Sequence, residues 1–165
     1  MNGYEVTILL WITALGSGLM AGVYFAFSGF IMRAFAHLDA SQSIAAMNAV
    51  NTTILKSSFM PLFFGSTATS LLLVIAAVWH WGGAGAGLVF VAGLVYFVGM
   101  FVTTMVCNVP LNNALASAGG EDDEAQRAWL NYLKNWTRWN HFRTLCSLVT
   151  CTMCIAVLSG HYIWQ

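Results

Sequence analysis

The stretch LVFVAGLVYFVGMFVTTMVCNV, from Leu88 to Val109, decides the fold class because it carries no charged side chain along its whole length. About 20 consecutive apolar residues in a helix are enough to cross the hydrocarbon core of a bilayer. Three other stretches have the same character, and the predicted spans cover residues 4–30, 59–81, 88–109 and 145–162. The sequence therefore predicts an all-α integral membrane four-helix bundle, with residues 1–165 forming a single transmembrane domain.

Composition supports this prediction. Charged residues make up 7% of the 165 residues and hydrophobic residues 59%, whereas roughly a quarter of a soluble domain is charged. The formal net charge of zero argues against nucleic acid as a partner. The sequence contains neither a Gly-rich phosphate loop nor a GxSxG motif, so nucleotide-dependent and serine-hydrolase chemistry are disfavoured.

The basic residues set the predicted orientation. All six lie between the first and second spans or between the third and fourth: Arg33, Lys56, Arg127, Lys134, Arg138 and Arg143. The positive-inside rule makes this side cytoplasmic, so both termini are expected to lie outside. We expect the protein in a bacterial inner membrane, with the lipid bilayer as its first partner.

Both cytoplasmic connections are predicted to form amphipathic helical extensions. The stretch Asp39-Ala-Ser-Gln42 resembles a helix start, with an acceptor followed three residues later by Gln. We expect the helix that follows it to run directly into the second span, with Pro61 near the join. The second extension is expected to begin after Gly119 and Gly120, which are typical of a helix end.

The second extension presents one aromatic stripe. Residues at helical spacing form it, namely Trp129, Tyr132, Leu133 and Trp136. Asn140 and Arg143 continue the stripe and are expected to face inward, whereas Arg138 points toward water or lipid head groups. An inward Arg needs a partner, and no acidic residue is close in sequence. Arg143 therefore predicts an anion or oxyanion stabiliser, the alternative being a side chain that reaches a lipid phosphate.

All four predicted helices bring polar groups to the cytoplasmic end, where facing side chains of a bundle form sites. Asn108 and Asn112 close the third span and flank Pro110, which removes one backbone hydrogen bond. Asn48 and Asn51 precede the second span. His141 is the candidate general base, because histidine exchanges protons near neutral pH.

Several of these stretches resemble one family. They are Asn108-Val-Pro-Leu-Asn-Asn113, Trp139-Asn-His-x-Arg-Thr144, the stretch from Gly18 to Phe27, and Met47-Asn-Ala-Val-Asn51. The chain resembles the anthrone oxygenase-like family of small four-helix membrane proteins. In fungal relatives, this resemblance implies a monooxygenase that oxidises an anthrone with O2 and uses no bound organic cofactor.

The resemblance and the inward stripe together give the predicted site. We expect a lipophilic aromatic substrate, anthrone-like or quinol-like. The predicted catalytic residues are His141 as base, with Arg143 and Asn108 as oxyanion stabilisers. The predicted substrate-binding residues are Asn48, Asn51, Asn112, Trp136, Trp139 and Asn140.

Two other functions stay open at this point. The first is a membrane protein without enzymatic activity that binds a lipid, a small molecule or a partner protein in the same pocket. The second is a haem or copper protein, with His80 and His161, or His37 and His141, as ligands. No metal motif with diagnostic spacing is present, so no cofactor is predicted. Gly18 and Gly22 form a GxxxG motif, which favours close helix packing and permits a homo-oligomer through Gly-rich helix faces.

Overall fold

A computed structural model describes residues 3–118 and 122–160 of the chain, and these residues form helices without any β-strand. In chain order the helices are α1 (Gly3–Phe35), α2 (Ala40–Ile54), α3 (Phe59–Trp79), α4 (Ala86–Ala116) and α5 (Asp122–Ser159). Helices α1, α3, α4 and α5 are long and apolar enough to cross a membrane. The predictions of an all-α membrane protein and of a four-helix bundle are confirmed.

The four long helices pack in a ring. Helix α1 packs against α3 and α5, and α4 packs against the same two helices from the opposite side. Helix α2 lies against α5 and the last turns of α4. Five of the six basic residues are exposed at this end of the bundle, which we call the basic end: Arg33, Lys56, Arg127, Lys134 and Arg138.

The interior has three apolar layers. The layer farthest from the basic end contains small and aliphatic side chains, including Val6, Leu10, Leu73, Val89 and Val157. The middle layer contains Met20, Tyr24, Phe63, Tyr96 and Met100. The layer at the basic end contains Met32, Ile44, Met47, Leu115, Trp129, Tyr132 and Trp136. The aromatic stripe of α5 therefore faces inward, as the spacing predicted.

Hydroxyl groups link the long helices inside the bundle. Ser66 of α3 and the Tyr96 hydroxyl of α4 lie 2.7 Å apart, and Thr13 of α1 donates to Thr69 of α3 at 2.9 Å. Thr150 of α5 donates to the carbonyl oxygen of Ala92 at 3.1 Å. Each bond removes a polar group from contact with lipid, where an unpaired one would be costly.

Helix α2 does not continue into α3, so that prediction is wrong. Helix α2 ends at Ile54 and α3 begins at Phe59. The Ser57 hydroxyl bridges the gap, since it donates to the Ile54 carbonyl at 2.8 Å and accepts from the Phe59 amide at 3.2 Å. Pro61 then lies in the first turn of α3, where a helix requires no amide donor.

The structure differs from the prediction at the start of α2 and at the end of α4. Asp39 does precede α2 as its N-cap residue, but its side chain makes no capping hydrogen bond. Helix α4 ends at Ala116, before the predicted stop at Gly119 and Gly120, which lie outside the described residues.

The GxxxG motif is only partly used within the chain. A methyl carbon on Gly18 would lie 3.4 Å from the Cys151 sulfur, so Gly18 faces α5. Gly22 is exposed and has no atom of the described residues within 4 Å of that position. Packing among the described residues therefore does not require Gly22, and a homo-oligomer through this face stays a prediction.

Candidate functional site

Arg143 lies inside the bundle with 4% of its surface exposed. Its Nη2 donates to Asn140 Oδ1 at 2.7 Å and its Nη1 donates to Thr104 Oγ1 at 3.2 Å. The guanidinium carbon lies 4.2 Å from the centre of the Tyr24 ring and 5.4 Å from that of Trp136. Within residues 3–118 and 123–160, no carboxylate pairs with it. The cation is thus held by neutral acceptors and aromatic faces.

Asn140 connects α5 to α1 and has no exposed surface. An Arg side chain can only donate, so the oxygen of the Asn140 amide must face Arg143. The amide nitrogen then donates to the Tyr24 carbonyl oxygen at 2.6 Å and to Ser28 Oγ. The orientation of this amide is set by partners on both sides.

Asn108 joins the same region from α4 and is 1% exposed. Its Nδ2 donates to the Trp136 carbonyl oxygen at 3.3 Å, but its Oδ1 has no partner in the described part of the chain. Trp136 Nε1 and Arg143 Nε are likewise buried without a partner there. An unsatisfied buried polar atom costs about 1–3 kcal/mol. The group therefore offers two donors and one acceptor to a ligand or to water.

We call this group the Arg143 cluster: Tyr24, Ser28, Thr104, Asn108, Trp136, Asn140 and Arg143. Two of the helices that contribute residues to the Arg143 cluster are locally π-helical at those residues. Ser28 lies in the π-helical segment Phe27–Ile31, and Thr104 and Asn108 both lie in the segment Thr104–Asn108. Such segments interrupt the regular α-helix and are frequent at functional sites.

A second polar group lies between α2, α4 and α5. The Tyr132 hydroxyl donates to Asn112 Oδ1 at 2.9 Å, and Asn51 lies beside that hydroxyl. Asn48 Oδ1 and Asn51 Nδ2 are buried without partners among the described residues. The Tyr132 and Trp136 rings stack with 5.8 Å between their centres. This stack connects the second polar group to the Arg143 cluster.

His141 lies outside the Arg143 cluster. It is exposed and lines an open pocket of about 270 Å³ between α1 and α5, together with Ser28, Met32, Arg33, Ala36, Leu133 and Thr137. Residues two apart on a helix point about 200° from each other, so His141 and Arg143 lie on opposite faces of α5. Ser28 belongs to both the pocket and the Arg143 cluster, because it lines the pocket and accepts a hydrogen bond from Asn140.

Trp139 is also separate from the other predicted site residues. Its ring packs edge-on against Phe142, and the Arg138 guanidinium lies 5.9 Å from its centre. Arg138 and Phe142 are both exposed, so Trp139 belongs to the outer surface of α5. The structure thus brings together Asn108, Trp136, Asn140 and Arg143, and leaves Trp139 apart from them.

The histidines considered as haem or copper ligands are spread along the chain. His80 follows α3 at the end opposite the basic end, whereas His37 is exposed just after α1. His161 lies outside the described residues. Within those residues, no group of three or more His, Cys, Asp or Glu side chains is placed to hold a metal ion. The metal alternatives stay predictions.

Four residues of these two polar groups were not predicted as site residues: Tyr24, Ser28, Thr104 and Tyr132. Tyr24 and Ser28 are four residues apart near the end of the first span, so they share a helix face. A polar pair on one face of an otherwise apolar span is the signal that would have indicated them.

Replacing Tyr132 by Phe is expected to lower the free energy of unfolding by about 1 kcal/mol, because Asn112 Oδ1 loses its donor. Thermal unfolding in detergent, followed by circular dichroism, measures this change. Tyr4→Phe is the matched control, since Tyr4 is 75% exposed. Equal unfolding midpoints for the two variants would show that the Tyr132–Asn112 bond does not stabilise the fold.

A ring of four membrane-crossing helices that encloses a buried cation and several amides defines a class, the integral membrane helical bundles with an internal polar site. Within this class, the chain belongs to the anthrone oxygenase family, whose model matches residues 56–153. The predicted family resemblance is confirmed. The match includes Thr104, Asn108, Asn140 and Arg143, whereas Ser28 lies before it. No curated protein and no solved structure matches the chain.

Proposed function

We propose that this protein is a membrane-embedded oxygenase that oxidises a lipophilic aromatic compound, anthrone-like or quinol-like, with O2 and without an organic cofactor. The observation that carries the proposal is the burial of Arg143 without a carboxylate partner among the described residues. A preorganised cation in a water-poor site stabilises negative charge that develops on a substrate oxygen. Membership of the anthrone oxygenase family supports the substrate class.

The proposed reaction needs no external reductant. An anthrone has an acidic C–H bond opposite its ketone, and loss of that proton leaves an enolate whose charge resides largely on oxygen. The enolate gives one electron to O2, and the two radicals combine into a carbon–oxygen bond. After protonation this is a hydroperoxide. Loss of the second hydrogen from the same carbon then breaks the O–O bond, so that anthrone and O2 become anthraquinone and water.

In this proposal the Arg143 cluster stabilises the enolate and His141 takes the proton. His141 is exposed in its pocket, so a substrate can reach it from the membrane interface. Arg143 and His141 lie on opposite faces of α5. Hydrogen bonds run from Arg143 through Asn140 to Ser28, and Ser28 lines the same pocket as His141. We also propose that the pocket faces the cytoplasm.

A second opening near the cluster suits an apolar ligand. It has a volume of about 420 Å³ and is lined by Phe27, Ala49, Val50, Thr53, Ile54 and Ser57. Ligand pockets typically measure about 300–1,000 Å³. The Phe27 ring lies edge-on to Trp136 with 5.7 Å between ring centres, so this opening adjoins the Arg143 cluster. A lipophilic compound in the bilayer has a route toward the site between α1 and α2.

The direct test is O2 consumption by the purified protein in lipid nanodiscs supplied with anthrone. We expect one O2 consumed per anthraquinone formed, at a rate well above that in empty nanodiscs, which measure spontaneous oxidation. Metal analysis and a visible absorption spectrum of the same sample examine the haem and copper alternative. A rate equal to that of empty nanodiscs would contradict the proposal.

Replacing His141 by Gln is expected to lower the rate of anthrone oxidation by about 10²–10⁴-fold, because a positioned general base contributes an acceleration of that size. The rate of O2 uptake at saturating anthrone measures the effect. His37→Gln is the control, since His37 is also exposed near the basic end but does not line the pocket. Similar rates for His141→Gln and the wild type would exclude His141 as the base.

A further inference from the structure

We propose that the pocket between α1 and α5 binds the anionic form of the aromatic substrate, with the Ser28 hydroxyl as the donor to its oxygen. This inference rests on the proposed function for the substrate class, an aromatic ketone or phenol that becomes an enolate or phenolate. It assigns contact with the substrate to Ser28. Arg143 then acts on the substrate through Asn140 and is a positioning residue.

Ser28 differs from Ser17, the other buried serine of α1. A helical serine usually donates to the carbonyl four residues earlier, as Ser17 does to the Thr13 oxygen at 2.6 Å. The corresponding oxygen for Ser28 belongs to Tyr24, and it already accepts from Asn140. Ser28 Oγ accepts from Asn140 as well, and within the described residues it donates to no acceptor. Its hydrogen is therefore available to a ligand.

Two consecutive hydrogen bonds point in the same direction, from Arg143 toward the pocket. Arg143 donates to Asn140, and Asn140 donates to Ser28. Consecutive hydrogen bonds polarise one another in a medium of low dielectric constant. The positive charge of the buried guanidinium thus strengthens Ser28 as a donor, although Arg143 itself does not line the pocket.

The rest of the pocket lining favours an anion attached to an apolar body. Arg33 and His141 are the residues of the lining that can carry charge, and it contains no acidic residue. Met32, Ala36 and Leu133 supply apolar contacts. Thr137 also lines the pocket, and its Oγ1 is buried without a partner in the described part of the chain.

Binding in this pocket lets one substrate contact both the oxyanion donor, Ser28, and the general base, His141. Ser28 and His141 line the same pocket, whereas Arg143 and His141 point in opposite directions. A substrate whose oxygen accepts from Ser28 can present its C–H bond to His141. The proton then passes to the imidazole, while the electron pair of the C–H bond becomes the enolate stabilised by Ser28.

The probe is 2-hydroxyanthraquinone, a coloured phenol whose absorption changes when it ionises. Bound to the protein in nanodiscs, its pKa is expected to fall by about one unit relative to empty nanodiscs, because a donor to the phenolate favours the charged form. Ser28→Ala is expected to abolish this fall. Ser17→Ala is the matched control, since Ser17 is also buried on α1 and bonds only to carbonyls of its own helix.

A second variant tests the pocket without altering the hydrogen bonds. Ala36 is exposed at the pocket, so Ala36→Trp is expected to fill it and prevent binding of the dye, with an unchanged unfolding midpoint. Undiminished binding to Ala36→Trp, or an unchanged pKa fall in Ser28→Ala, overturns the inference.

The outcomes separate this inference from the proposed function. A dye pKa that falls in the wild type but not in Ser28→Ala, without any anthrone oxidation, supports the anion pocket and contradicts the oxygenase. Full anthrone oxidation by both Ser28→Ala and Ala36→Trp supports the oxygenase and removes this pocket from it.

Discussion

Replacing Arg143 by Met is expected to lower the rate of anthrone oxidation by about 10²–10³-fold, the loss typical when stabilisation of an oxyanion is removed, because Arg143 supplies that stabilisation through Asn140 and Ser28. The bundle is expected to remain folded. Removal of the guanidinium relieves the cost of burying a charge that no carboxylate in the described residues neutralises. This gain opposes the loss of the hydrogen bonds to Asn140 and Thr104. O2 uptake and thermal unfolding, measured on the same sample, separate the two effects.

Two further variants identify which property of Arg143 matters. Arg143→Lys keeps the charge but not the planar fork that reaches Asn140 and Thr104 together, so we expect it to remain strongly impaired. Arg138→Met removes an exposed cation of the same helix and should leave the rate nearly unchanged. A rate for Arg143→Met within a few-fold of wild type would show that the buried cation does not serve the reaction.

Replacing Gly93 by Ala is expected to destabilise the bundle by about 1–3 kcal/mol or more, because the added methyl group has no space. Its carbon would lie 2.5 Å from the Ser70 carbonyl oxygen and 2.8 Å from the Val74 side chain. The first of these atoms belongs to the backbone of α3 and cannot rotate away, so α3 and α4 must move apart. A lower midpoint of thermal unfolding in detergent measures the effect.

Gly65→Ala is the matched control for this substitution. Gly65 lies on α3, and a methyl carbon there would have no neighbouring atom within 4 Å in the part of the chain that the structure describes. Alanine also favours a helix more than glycine does, so the unfolding midpoint of Gly65→Ala should equal or exceed that of wild type. Equal midpoints for Gly93→Ala and Gly65→Ala would mean that α3 and α4 do not approach closely at Gly93.

Much of the candidate site followed from spacing along single helices. Trp136, Asn140 and Arg143 lie on one face because they are three or four residues apart, and the structure places all of them inside the bundle. The same rule separated Arg138 from that face. The prediction assigned His141 and Arg143 to one site, and the angle of about 200° between residues two apart on a helix directs their side chains to opposite faces. Spacing alone contained that information.

Contacts between distant segments were not predictable in the same way. Ser28 and Asn140 are separated by 112 positions, and their bond depends on how α1 and α5 rotate about their axes when they pack. The π-helical segment at Phe27–Ile31 changes that rotation locally. No periodic pattern in the sequence indicated it.

The gap between α2 and α3 was missed because a local feature, the Ser57 hydroxyl, ends one helix and begins the next.

From its amino acids alone, this chain is a membrane protein of four apolar helices with polar groups collected at one end. That much follows from hydrophobic length and helical period, which are local properties and depend little on packing. Tertiary structure decided which polar groups meet. Arg143 is buried against α1 and α4 while His141 faces the pocket, and Ser28 joins the two, because the packing of the helices selects a single rotation for each of them.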